Sequence, residues 1–170
     1  MNLNFQYLLP IDYSPESRVW IYQSSRLFSL PEALEIEKII DDFIATWKSH
    51  GVPVKGFGTL IFGQFILLMA DESATSVGGC STDSSVHVIK EIEMHFQVNL
   101  FERTMLAFVV KDKVELLPLS QLKYAFDNGF IDANTFYFNN VVLTKRELEN
   151  NWIIPVKDSW LKNKLQVSLK

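Results

Sequence analysis

The stretch Phe65-Ile-Leu-Leu-Met-Ala70 is six apolar residues in a row. A strand that faces water on one side alternates apolar and polar residues, because successive side chains point to opposite faces. This run does not alternate, so it reads as a strand that needs cover on both faces. The preceding run, Gly56 to Phe62, is separated from it by Gly63-Gln64, a glycine-containing two-residue break that reads as a hairpin turn. Whatever fold the chain adopts must therefore build two apolar layers around residues 65–70.

Segments that could supply the layers flank this hairpin. Pro31 to Trp47 carries Ile36, Ile40, Phe43 and Trp47 on one face at 3.6-residue periodicity, joined by Ile39 and Ile44. Ser29 with Glu32 has capping-box spacing, and Pro31 falls in the first turn, where its missing N–H costs nothing. Gly51 and Pro53 end the helix. A second helix is expected to follow the small-residue loop 71–82 and run to about Gln97, burying Ser85, Ile89, Ile92 and Phe96. Arg18 to Gln23 and Thr104 to Val110 read as strands. The order β-α-β-β-α-β implies an α+β fold with a ferredoxin-like core, both helices on one face of an antiparallel sheet.

The rest reads as an α/β elaboration, with strands at 114–117, 135–138 and 141–143 and helices at 120–128 and from Thr144 to about Asn150. Its capping signal is Thr144 with Glu147. The expected organisation is one domain over 1–170, a core at about 16–111 and an elaboration at about 112–170. The pattern leaves open whether the elaboration packs on the sheet edge or on its open face.

Charge and cysteine narrow the chemistry. The chain has 170 residues and a formal net charge of −4. Residues 1–85 hold ten acidic and five basic side chains, and the remainder hold ten and eleven. An acidic chain disfavours nucleic acid as a partner, since phosphate contacts need a concentrated basic face. RNA binding by an aromatic sheet face with the tail lysines Lys157, Lys162, Lys164 and Lys170 ranks third. Cys80 is the one cysteine, so neither an intrachain disulfide nor a Cys-based zinc site is expected. The N-terminal residues lack a signal-peptide pattern, and the longest uncharged apolar stretch, 56–70, is short for a bilayer span. These features point to a cytoplasmic protein without membrane association.

Four strings occur together: Arg18-Val-Trp-Ile-Tyr-Gln23, Gly79-Cys-Ser-Thr-Asp-Ser-Ser-Val86, Phe138-Asn-Asn140 with Thr144-Lys145, and Pro155-Val-Lys-Asp-Ser-Trp160. This set resembles a Bacteroidetes family of small cytosolic proteins whose members often carry the automatic label ABC transporter ATPase. The label does not fit the residues. Phosphate cradling by a P-loop needs Gly-x-x-x-x-Gly-Lys-Ser/Thr. Gly51 and Gly56 have the glycine spacing, but Phe57-Gly58 follows instead of Lys-Ser/Thr.

The stretch that could carry chemistry is Gly78, Gly79, Cys80, Ser81, Thr82, Asp83, Ser84 and Ser85. Glycines ahead of a helix let a ligand approach the first-turn amides, where the helix dipole favours an anion. Four hydroxyls add donors, whereas Asp83 would repel an anion. Simple capping explains the same residues. Cys80 lacks the Cys-x-x-x-x-x-Arg phosphatase pattern, Val86 standing at the arginine position. His87, Glu91 and His95 recur every four residues on one face, without the usual pair of histidines four apart, and no metal or cofactor is expected. Trp152 and Trp160 bracket Pro155 in an aperiodic segment, as clamps across the domain or as docking residues. These observations favour a non-catalytic ligand-binding or protein-interaction module, with homodimerisation open. The alternative is a small enzyme or sensor acting on a small anionic ligand at Gly78–Ser85.

Overall fold

A computed structural model describes residues 1–165. The elements, in order, are β1 (Arg18–Gln23), α1 (Leu30–Thr46), β2 (Lys48–Ser49), β3 (Val52–Pro53), β4 (Lys55–Ile61), β5 (Phe65–Asp71) and α2 (Gly79–Phe96). They continue with β6 (Met105–Val110), β7 (Lys113–Pro118), α3 (Leu122–Asp127), β8 (Phe136–Phe138), α4 (Lys145–Asn151), β9 (Ile153–Pro155) and α5 (Leu161–Leu165). The fold is mixed α and β with antiparallel sheets, as the α+β reading expects.

The apolar run is the centre of a three-stranded sheet ordered β1-β5-β4, and every residue of β5 is buried. Its two faces enter different cores. Phe65, Leu67 and Met69 join Val19, Ile21, Ala107, Phe138 and Trp152. Ile66 and Leu68 join Ile36 and Ile40 of α1 and Val88, Ile89, Ile92 and Phe96 of α2. Each residue thus buries its apolar surface at about 25 cal/mol per Å² whichever way it points. This is the double cover that the missing alternation requires.

The second cover is another sheet, ordered β7-β6-β8-β9. In the ferredoxin-like arrangement, the strand after the second helix pairs beside β1. Here β6 pairs with β7 and β8 instead, and the outer side of β1 meets residues 143 and 144, where Val19 N–H donates to the Leu143 carbonyl at 3.0 Å. The residues of β6 explain the difference. Ala107 and Val109 face the first sheet, whereas Leu106 and Phe108 face a third core with Leu122, Ala125, Leu161 and Leu165. β6 is itself apolar on both faces, so it sits between two layers. The result is four layers: α1 and α2, the β1-β5-β4 sheet, the β7-β6-β8-β9 sheet, then α3 and α5.

The capping box at the start of α1 forms as its spacing predicts: the Ser29 N–H donates to Glu32 and the Glu32 N–H returns to Ser29 Oγ. Arg26 and this hydrogen bonding hold the Glu32 carboxyl down to about 2. At Thr144 only half of the box forms: the Glu147 N–H donates to Thr144, but the Glu147 carboxylate accepts from Leu143. Residues 141–143, expected to be a strand, run as an irregular segment. The turn after α1 is a small β2–β3 hairpin, with His50 and Gly51 both at positive φ.

Candidate functional site

α1 crosses β4 closely because Gly56 and Gly58 have no side chains. A Cβ at Gly58 would lie 2.5 Å from Ile40 Cγ2, and one at Gly56 would lie 2.8 Å from the Trp47 ring. β2, following α1 directly, carries Lys48 and Ser49 to the start of α2. There Trp47 Nε1 donates to the Ser81 carbonyl at 3.0 Å, and Ser81 Oγ donates to the Lys48 carbonyl at 3.0 Å. These two bonds lock the end of α1 against the first turn of α2.

The candidate loop is resolved residue by residue. Gly78 is the N-cap in extended conformation, and its N–H points to Ser49 Oγ at 3.5 Å. Gly79 and Cys80 are exposed, Cys80 as a free thiol. Thr82 donates to the Gly78 carbonyl, Ser84 to the Cys80 carbonyl and Ser85 to the Thr82 carbonyl. With Ser81, all four hydroxyls spend their single proton on a carbonyl within the protein. Ser81 and Ser85 are buried.

Asp83 and Ser84 face outward into a groove of about 880 Å³ between α1 and α2. Its floor is Ile39, Phe43, Trp47 and Val88. Its rim carries Asp42, Asp83 and Glu91, with Lys48 as the one ammonium. His87 lies between Asp83 and Glu91 on α2 and pairs with Glu91 at 3.2 Å. Lys38 bridges Asp42 at 2.7 Å. Asp83 makes no hydrogen bond or ion pair among the described residues. A second hollow of about 450 Å³ shares Ile39 and Glu91 and runs on to Glu35, Met94 and His95. There His95 pairs with Glu35 at 2.9 Å.

The structure therefore brings Asp83, Ser84, His87 and Glu91 to one groove, places His95 in the neighbouring hollow, and turns Ser81 and Ser85 away from both. Among the described residues there is no group of three or more His, Cys, Asp or Glu side chains placed to hold a metal ion. The sequence does not flag the α1 half of the groove: Ile39 and Phe43 read as core, as does Trp47, which is buried with Val54, Ala70 and Val77 and still borders the groove. The signal is the width of the α1 apolar stripe, six large side chains where one sheet face needs fewer. Ile36 and Ile40 are fully buried under the sheet, while Ile39 and Phe43 stay half-buried at the groove.

The two sequence-flagged tryptophans divide. Trp152 is buried, edge-on to Phe5 at 4.8 Å and Phe65 at 5.4 Å, and donates to Asn140 Oδ1 at 2.9 Å. Trp160 is 38% exposed and donates to the Tyr137 hydroxyl at 3.2 Å. Trp152 is a clamp between the sheets. Of the tail lysines, Lys157 bonds to Asn134 and Lys162 and Lys164 lie on α5; Lys170 lies outside the described residues. Both faces of the β1-β5-β4 sheet are covered, so neither offers an aromatic platform for bases. No helix among the described residues is long and apolar enough to cross a membrane.

The class that fold and groove define is a four-layer α+β protein with an apolar, carboxylate-rimmed groove on its helical layer. Compared with family models, curated proteins and solved structures, the chain matches none.

Proposed function

We propose that this chain is a non-catalytic binding module whose recognition surface is the groove between α1 and α2. The observation that carries the proposal is the pairing of an apolar floor with a rim of three carboxylates and one ammonium. Such a groove desolvates an aliphatic or aromatic body while its rim attracts positive charge. The electrostatic sign thus favours a cationic ligand over the anion that the glycine-serine loop suggests. The four hydroxyls do not support the anion site, because each already donates within the protein. The proposal carries with it membership of the Bacteroidetes family named above and a cytoplasmic setting.

A second reading, a small enzyme or sensor, rests on Asp83 and His87 standing one turn apart on the same rim. In that reading the first-turn amides of α2 take the anion and Asp83 handles the proton.

A thermal-shift comparison separates the two. Hexylammonium and benzylammonium should raise Tm, with the effect lost in Asp83→Lys, while phosphate, citrate and nucleotides leave it unchanged. A ligand at about 100 times its Kd adds roughly 2.7 kcal/mol. A rise with the anions, and none with the ammonium compounds, would replace the first reading by the second.

A further inference from the structure

We infer that the occupant of the α1–α2 groove is a cationic amphipathic helix of a protein partner, about three turns long. The inference rests on the groove being the recognition surface and adds the chemistry of what fills it.

Length comes first. Asp83, His87, Glu91 and His95 are spaced four residues apart along α2, and the two neighbouring hollows they line share Ile39 and Glu91. Twelve residues of helix span roughly 18 Å. That is long for a small metabolite and matches about three turns of a helix lying alongside.

Backbone chemistry comes second. Both walls of the groove are helices, whose N–H and C=O groups are spent internally. An extended segment would find no edge to pair with there. A helix brings its own hydrogen bonds satisfied and inserts an apolar stripe between its neighbours.

Charge comes third. Among the residues lining the two hollows, Glu35, Asp42, Asp83 and Glu91 are acidic, Lys48 is the one ammonium, and His87 and His95 are the two imidazoles. Asp42 is already bridged by Lys38, and Glu35 and Glu91 face histidines, which leaves Asp83 as the one of these four carboxylates without a partner among the described residues. Anionic lipid surfaces and nucleic-acid phosphates are repelled by such a rim. Lys and Arg flanking an apolar stripe complement it. A second copy of this chain does not supply that helix from its described residues. Its most basic helix, α5, buries Leu161 and Leu165 in its own core. Within the second hollow, Met94 is 75% exposed and adds apolar surface at that end.

The test uses two synthetic 14-residue peptides of identical Leu/Lys composition. One places leucine at i, i+3, i+4 and i+7, and the other strictly alternates. Titration calorimetry against the full chain should show saturable binding of the first only, weakened by added salt. Asp83→Lys with Glu91→Lys should weaken it at least tenfold, and Met94→Lys several-fold, with circular dichroism unchanged. Glu115→Lys, an exposed carboxylate on β7 of the other sheet, should leave it within twofold. Equal binding of both peptides, no binding, or equal losses in the groove and Glu115 variants would overturn the inference. If hexylammonium still protects the wild type while neither peptide binds, the helix is wrong and the groove stands. If neither class binds, both readings fail.

Discussion

Gly58→Ala probes the contact that places one wall of the groove. The added Cβ would fall 2.5 Å from Ile40 Cγ2, 2.9 Å from Leu68 Cδ2 and 3.3 Å from the Leu67 carbonyl oxygen. Carbon atoms in ordinary contact sit about 3.5–4.0 Å apart. Leu68 Cδ2 is the end of a flexible side chain, but Ile40 Cγ2 is not, because a β-branched residue in a helix has one strongly preferred χ1. Both residues are fully buried. Relief therefore requires α1 to lift from the sheet by about 1 Å or Ile40 to leave its rotamer. Overpacking of this kind costs about 1–3 kcal/mol. Against it, alanine restricts the unfolded chain and returns about 0.4–1 kcal/mol. The net expectation is a loss of up to about 2.6 kcal/mol, or a Tm lower by up to about 10 °C for a chain of this size. Urea denaturation of Gly58→Ala, Ile40→Ala and the double variant supplies the assay. In the double variant the methyl added at position 58 enters the space that Ile40 vacates, so its loss should fall short of the sum of the singles by about 1–2 kcal/mol. A Gly58→Ala protein clearly more stable than wild type, or strict additivity in the double variant, would refute this explanation of why α1 lies where it does.

Other perturbations have expected outcomes of their own. Ser29→Ala removes the Ser29 half of the capping box on α1 and should cost about 1 kcal/mol in chemical denaturation. Trp152→Phe keeps the ring but leaves Asn140 Oδ1 without its donor, so a loss of about 1–3 kcal/mol should appear in the same assay. Asp71 is buried and accepts from Ser73, Lys55 and the Ser14 N–H, with Ser73 the largest influence holding its carboxyl well below the usual range. A carboxyl depressed in the folded state stabilises above its unfolded value, near 3.9, and that stability is lost as pH falls toward the folded value. The stability gap between wild type and Asp71→Asn should therefore be widest near pH 6–7 and shrink below about pH 4. Cys80 is exposed, and one equivalent of thiol per chain should react with Ellman's reagent under native conditions.

Much of the fold is legible because local signals and burial agree. The lack of alternation in 65–70 announces two covered faces, and both are covered. The Ser29–Glu32 box follows from residue type and spacing, and the buried stripe of α2 at Ser85, Ile89, Ile92 and Phe96 follows from periodicity. What local signals do not carry is which sheet a strand enters. Met105–Val110 is a strand either way, and its hairpin partner Lys113–Pro118 on one side with the distant Phe136–Phe138 on the other takes it out of the first sheet. The Val141–Leu143 segment misleads for a similar reason. It has β-branched and apolar residues, yet Val141 and Leu143 are 60% and 66% exposed, and the segment meets β1 through the Leu143 carbonyl that accepts from the Val19 N–H.

The site was half legible. Glycines and hydroxyls before a helix mark its N-terminus, and the helix begins there at Gly79. Whether those hydroxyls face a ligand or the backbone depends on rotamers that sequence does not encode, and here they turn to the Lys48, Gly78, Cys80 and Thr82 carbonyls. The α1 contribution was hidden because a groove floor and a core have the same composition. Phe43 reads as core at every level except its position beside α2.

The proposal that the α1–α2 groove is the binding surface is tested most directly by an amide-resolved NMR titration of the full chain. Hexylammonium is added to one sample and phosphate to another at equal ionic strength. The account predicts saturable shifts with hexylammonium centred on Ile39, Phe43, Val88 and Glu91, and only uniform salt effects with phosphate. Saturable phosphate shifts at the Gly79, Cys80 and Ser81 amides, with the groove silent toward hexylammonium, would contradict it.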